Sequence, residues 1–261
     1  MRTKSPLVIG ALGGSGTRVV ARIVIQAGYF LGSNRNVSED AMEFVEFYDR
    51  WINRYVLRHQ APLCQEEDAL MARDLFACVT RHRREIPEPE GPWGWKEPRS
   101  LYLLPFFHAH FPEMTFIHVV RDGRDMAFSA NQNQLRKHGG AVLGPHLQDA
   151  PQPVRTAALW ARINLDAAEY GETRLGARYL RVQFEALCRA PGETVQTIQG
   201  FLGSAVDGAW AAEVIIPPPS IGRWRGIADE GLLRAIHVQA EEALRRFKYC
   251  DAVSGRQGGR C

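Results

Sequence analysis

Three short stretches hold the residue types that anion chemistry needs. Gly13-Gly14-Ser15-Gly16-Thr17-Arg18 follows the apolar run Leu7-Val8-Ile9-Gly10-Ala11-Leu12. Lys96-Glu97-Pro98-Arg99 follows Trp93-Gly94-Trp95, and Arg121-Asp122-Gly123-Arg124-Asp125 follows Thr115-Phe116-Ile117-His118-Val119-Val120. Glycines lack a Cβ and let backbone N–H groups come close to a ligand. A helix start adds unpaired N–H donors and the positive end of a dipole. Arginine forks onto phosphate and lysine supplies a point charge. Such a set fits a phosphate or sulfate ester.

The elements that must carry these stretches read as strands. Residues 7–12 and 115–120 are apolar runs without polar alternation, which suits strands buried on both faces. In an open α/β sheet, ligands lie beyond the carboxyl ends of the strands. Lys96, Arg121 and the 13–17 loop all fall at such ends, so they share one edge. After the first loop, Val19, Val20, Ile23, Val24 and Ala27 mark one apolar face of a helix. The loop itself names no ligand. The ATP/GTP loop needs a lysine before its Ser/Thr, where Gly16 stands here before Thr17. Gly10, Gly13 and Gly16 also miss the dinucleotide spacing.

Composition narrows the class. The chain has 261 residues, 45% hydrophobic and 23% charged, with a net charge of +3. That describes a globular protein with a sizeable core, and the charge does not by itself call for nucleic acid. The five cysteines are scattered with no C-x-x-C pair, which points to a reducing, cytoplasmic setting without a zinc site or disulfide framework. No apolar run reaches the roughly 20 residues of a membrane span. We expect one domain over residues 1–250 and a disordered glycine- and arginine-rich tail over 251–261.

Further along the chain, Ser38 reads as an N-cap with Glu39 and Asp40 in the first helical turn. A break is expected at Ala61-Pro62 and a helix over 66–83. Residues 100–111 and 154–170 read as helices and 178–185 as a strand. Residues 134–152, with their glycines, prolines, His138 and His146, read as a long loop able to close over a substrate. Residues 191–202 and 229–247 are helical. Between them, Gly222-Arg223-Trp224-Arg225 fits a contact with an anion and an aromatic base.

Taken in order, these motifs resemble the sulfotransferases that use 3′-phosphoadenosine 5′-phosphosulfate, especially the bacterial and tyrosylprotein-type branch. Ser15-Gly16-Thr17 matches the family's 5′-phosphosulfate turn, and Lys96-Glu97-Pro98 its Lys-Asp-Pro. Arg121, Asp122, Arg124, Asp125 and Ser129 match the 3′-phosphate motif. Phe184-Glu185-Ala186-Leu187 and Gly222-Arg223-Trp224 match two later stretches. The resemblance runs from about residue 7 to about residue 245. It implies an α/β, three-layer, P-loop-NTPase-like fold with a central, mostly parallel sheet flanked by helices. It also implies that Gly14, Ser15, Gly16, Thr17, Arg18, Arg121, Ser129, Arg223 and Trp224 hold the donor. Lys96 would assist the leaving oxygen, and no metal is implied. The sequence departs from the family at Gly14, where a basic residue is common, and at Phe184, where tyrosine is usual. Arg18 or Lys96 would then supply the charge missing at Gly14.

The family transfers no catalytic base. Asp40 is our candidate for it, with Glu39 and Glu43 as rivals. The acceptor is expected to be a small-molecule, carbohydrate, lipid or peptide hydroxyl, held by residues 34–51 and 134–152. A small-molecule kinase of similar architecture and a non-catalytic nucleotide-binding protein are the alternatives.

Overall fold

The apolar run at the start of the chain becomes one of the two inner strands of a parallel sheet. The computed structural model describes residues 5–58 and 65–249. Among them, β1 (Leu7–Ala11), β2 (Gly94–Lys96), β3 (Thr115–Val120) and β4 (Tyr179–Gln183) pair in the order β2-β1-β3-β4, all parallel. Ile9 stands opposite Lys96, Ala11 opposite Val119, and Val120 opposite Gln183. This register brings the four carboxyl ends to one edge.

Eleven α-helices are described: α1 (Thr17–Gln26), α2 (Val45–Leu57), α3 (Gln65–His82), α4 (Leu104–His110), α5 (Gly123–Ala127), α6 (Asn133–Leu143), α7 (Gln152–Tyr170), α8 (Phe184–Arg189), α9 (Pro191–Leu202), α10 (Gly208–Val214) and α11 (Glu230–Arg246). Strand alternation divides the core in two. Leu7, Ile9, Ala11, Ile117 and Val119 pack with Val20, Ile23 and Val24 of α1 and with Val195 and Ile198 of α9. Val8, Trp95, Phe116 and Val120 pack with Phe47 and Trp51 of α2, Trp160 of α7 and Leu244 of α11. Both sheet faces are therefore covered, which explains the unbroken apolar strands. The α/β three-layer expectation holds.

Several local expectations change. Residues 134–152 are not a long loop: α6 occupies Asn133–Leu143, a short 3₁₀ turn Pro145–Leu147 follows, and α7 begins at Gln152. Burial of Gln134, Leu135, His138 and Gly139 holds α6 in place despite its glycines. The strand expected over 178–185 stops at Gln183, and Phe184 opens α8. The expected helix over 100–111 is a 3₁₀ turn, Pro98–Leu103, followed by α4. Ser38 caps no helix; it sits in a turn, and helical structure starts at Met42. The Ala61-Pro62 break, the 251–261 tail and Cys64, Cys250 and Cys261 lie outside the described residues. Among those residues, no helix is long and apolar enough to cross a membrane.

Candidate active site

The loop after β1 is built around two glycines with left-handed backbones. Gly14 has φ +96° and Gly16 φ +84°, conformations that L side chains rarely adopt. A Cβ on Gly16 would also lie 2.1 Å from the Phe184 ring. Gly16 leads straight into α1, so the loop delivers the unpaired N–H groups of a helix start to the sheet edge. Ser15 and Thr17 are buried, whereas Arg18 is exposed. The Ser15 Oγ is buried with no hydrogen-bond partner.

The end of β3 closes on this loop. Arg121 Nη1 donates to the Gly14 carbonyl at 3.3 Å and Nη2 to Ser220 Oγ at 2.9 Å, while Nε is buried without a partner. The guanidinium lies 5.3 Å from the Phe184 ring centroid. A Cβ on Gly14 would lie 3.5 Å from Ser129 Oγ, so Arg121 and Ser129 meet at Gly14.

The other charges of this motif are internal. Arg124 forks onto Asp122, with contacts of 3.0 and 2.8 Å, and donates to the Tyr249 carbonyl at 2.6 Å. Glu185 accepts from the Asp122 N–H at 2.9 Å, and burial raises its carboxyl above the usual range. Asp125 accepts from Gly222 N–H at 2.7 Å and Trp224 N–H at 3.3 Å. That carboxylate seats the Gly222–Trp224 turn against α5, while burial raises its own pKa. Arg223 donates to the Phe128 and Ser220 carbonyls, and the Trp224 indole N–H is buried without a partner. Trp224 lies under Arg124 at 4.0 Å.

At the end of β2, Lys96 is 1% exposed. Its ammonium donates to the Ser38 carbonyl at 2.7 Å and forms a short ion pair with Asp40. Burial lowers the Lys96 pKa, and the Asp40 charge opposes that shift. Asp40 is held by a turn, not a helix. Asn36 Oδ1 accepts from the N–H groups of Ser38 and Asp40 at 2.8 and 3.0 Å. Its Nδ2 donates to the second Asp40 oxygen at 2.9 Å. Ala41 N–H donates to the Lys96 carbonyl at 2.9 Å, pinning the turn to β2. Glu39, with φ +64°, bridges Arg35 and Arg22, and Glu43 faces His82 at 3.2 Å. Both rivals to Asp40 are therefore engaged elsewhere. Below Lys96, buried Glu97 holds the Arg99 side chain, which pairs with Asp49, and Asp49 accepts from Lys137 at 2.7 Å.

The structure thus brings Lys96 and Asp40 together, and separately groups Ser15, Gly14, Arg121, Ser129, Arg223 and Trp224. Sequence reasoning missed Ser220, which follows three prolines and carries no motif. It also missed the framework roles of Asp125 and Glu185, although both lie inside recognised stretches.

A parallel sheet covered on both faces, with a glycine loop leading into a helix after its first strand, defines a P-loop-like α/β fold. Residues 6–208 match the family model of the Sulfotransferase family, and the chain belongs to that family. The fold is similar to the sulfotransferase domain of the Synechococcus PCC 7002 olefin synthase, with TM-score 0.52 and 17% identity over 93% of this chain and 98% of that one. It is also similar to sulfotransferase STF9 from Mycobacterium avium, with TM-score 0.56 and 12% identity over 98% and 79%. Mouse sulfotransferase SULT7A1, solved in complex with PAP, gives TM-score 0.53 and 12% identity over 92% and 85%. No curated protein matches the sequence.

Proposed function

We propose that the chain moves the sulfuryl group of 3′-phosphoadenosine 5′-phosphosulfate to a hydroxyl acceptor by in-line displacement. The observation that carries this reading is the cluster at the ends of β1 and β3. There Ser15 Oγ and Arg121 Nε are buried without partners around a glycine loop and a helix start. Each unsatisfied buried group costs about 1–3 kcal/mol, and a phosphate oxygen offers the missing acceptor. The PAP bound by the mouse relative supports the same ligand class.

In this reading the loop at Gly14–Thr17, with Arg18, holds the 5′-phosphosulfate, Arg121 and Ser129 read the 3′-phosphate, and Arg223 and Trp224 lie along the nucleotide. The acceptor oxygen bonds to sulfur as the bond from sulfur to the phosphate oxygen breaks. Charge grows on that leaving oxygen, and Lys96 meets it with a positioned ammonium. Asp40 takes the acceptor proton once Lys96 turns from it towards the donor. The ion pair thus keeps acid and base adjacent until substrate divides them. The remaining work of the protein is positioning.

Calorimetric titration with adenosine 3′,5′-bisphosphate and with ATP plus magnesium tests the assignment. The bisphosphate should bind at least about tenfold tighter, some 1.4 kcal/mol. Turnover of labelled donor with carbohydrate, phenol, peptide and lipid acceptors then reads transfer. Preference for ATP with magnesium would indicate a kinase, and tight bisphosphate binding without turnover on any acceptor would indicate a binding protein.

A further inference from the structure

A cavity of about 920 Å³ opens beside Ser129 and runs along α6 to the start of α7. Its apolar wall includes Leu57, Leu135, Leu143 and Leu147, and Arg136 and Arg155 bring charge to it. Among the described residues, no carboxylate lines it. Arg136 donates to Asn133, and among the described residues neither arginine pairs with an acid. Two cations beside an apolar wall, without a counter-ion, favour a ligand with an acidic group on an apolar body. Ala141 lines this cavity and also a neighbouring one of about 520 Å³, walled by Val56, Leu101 and Ile163. The apolar surface therefore continues past α6. Ser129 connects the cavity to the anion loop, because its hydroxyl sits against Gly14. Gly140 leaves α6 without a side chain on this side, and a Cβ there would meet nothing within 4 Å.

We propose that this cavity takes the acceptor, and that the acceptor is an anionic amphiphile: a hydroxyl-bearing apolar chain with a carboxylate or similar acid. The inference rests on the sulfuryl-transfer reading above and adds the substrate class. Arg136 and Arg155 select the acid, and the leucine wall takes the chain.

The probes are 12-hydroxydodecanoate and 1,12-dodecanediol, which share a chain and a hydroxyl but differ in charge. Binding is measured by calorimetry with adenosine 3′,5′-bisphosphate present, and transfer is measured with labelled donor. The acid should bind, and be sulfated, at least about tenfold better than the diol, as expected for a charge-assisted contact. The double variant Arg136→Gln/Arg155→Gln should erase that preference, leaving affinity for the diol and the bisphosphate unchanged. Gly140→Leu has room on the helix and should weaken both probes at least about tenfold while sparing the nucleotide. Equal binding of acid and diol overturns the proposal. So does a double variant that weakens the bisphosphate, since the arginines would then read the nucleotide, and so does a silent Gly140→Leu. Selective acid binding without bisphosphate binding supports an anionic-amphiphile site but removes sulfuryl transfer and the acceptor role. Bisphosphate binding without acid selectivity removes only the present inference.

Discussion

On the β3 side of β1, Ser15 and Arg121 keep buried polar atoms without partners. On the β2 side, Lys96 is engaged by Asp40 and the Ser38 carbonyl, and Asp40 is engaged in turn by Asn36. One flank carries an unmet need for an acceptor, and the other is internally neutral. In the proposed reaction the two flanks have different work. A binding surface gains by keeping some donors ready for the ligand: Arg121 Nε has no partner, although its Nη atoms already hold Gly14, Ser220 and, at 3.8 Å, Asp125. A buried ammonium without a counter-charge would lose its proton to desolvation, so a lysine kept charged for a later step needs a carboxylate beside it meanwhile.

The largest effect is expected where that carboxylate–lysine pair is broken. Lys96→Ala should lower kcat by about 10²–10³, the usual loss for one group stabilising developing charge. Affinity for adenosine 3′,5′-bisphosphate should stay within about threefold. A proportional loss of nucleotide binding would make Lys96 a ground-state contact and erase the distinction between the flanks. Asp40→Asn keeps the shape but removes the opposing charge. Burial then lowers the Lys96 pKa against only the weaker opposition of Glu97 and Glu39, so the active ammonium is lost at a lower pH. The alkaline limb of the kcat–pH profile should move down relative to the parent enzyme, on top of a fall in kcat of about 10²-fold for the missing base. An unmoved limb would show that Asp40 does not hold the lysine charged.

On the ready flank the effect should be smaller and confined to binding. Arg121→Ala should weaken adenosine 3′,5′-bisphosphate by roughly tenfold to a hundredfold, from a charge-assisted contact worth about 1.5–3 kcal/mol. Adenosine 5′-phosphate, lacking the 3′-group, should lose far less. Equal losses in calorimetry would assign Arg121 to the framework with Asp125 and Ser220.

Legibility in the sequence divides along the same line. The glycine loop and the strand-end arginines are contiguous with apolar strands, so local pattern places them on one edge. The Lys96–Asp40 pair joins residues 56 positions apart, and no spacing rule links them. Asp40 was legible only as one acid among several in a segment expected near the acceptor. The turn that presents it is set by the Asn36 side chain, which competes with the helix start that Ser38 suggested. Gly139, Gly140 and Gly144 made α6 read as a loop, whereas contacts from distant elements decide it. His138 Nδ1 meets Asn53 at 2.8 Å, and Tyr102 donates to Gln134 at 3.2 Å. Helix propensity there is overruled by tertiary packing.

The finest test of the contrast applies the same truncation to both flanks. Ser15→Ala removes a buried hydroxyl that has no partner in the free protein. Relieving an unsatisfied group of this kind should stabilise the free fold by about 1 kcal/mol, or roughly 2–4 °C in Tm for a domain near this size. The same variant should bind adenosine 3′,5′-bisphosphate about two- to tenfold more weakly, because the hydroxyl is then missing where the phosphate needs it. Asn36→Ala should act in the reverse sense. Its side chain accepts two N–H groups and donates to Asp40, so the free fold should lose about 1 kcal/mol while nucleotide affinity stays unchanged. Thermal unfolding and calorimetry on the two variants separate these signs. A Ser15→Ala protein that melts lower and binds normally would place Ser15 in the scaffold, and the two flanks would then be alike.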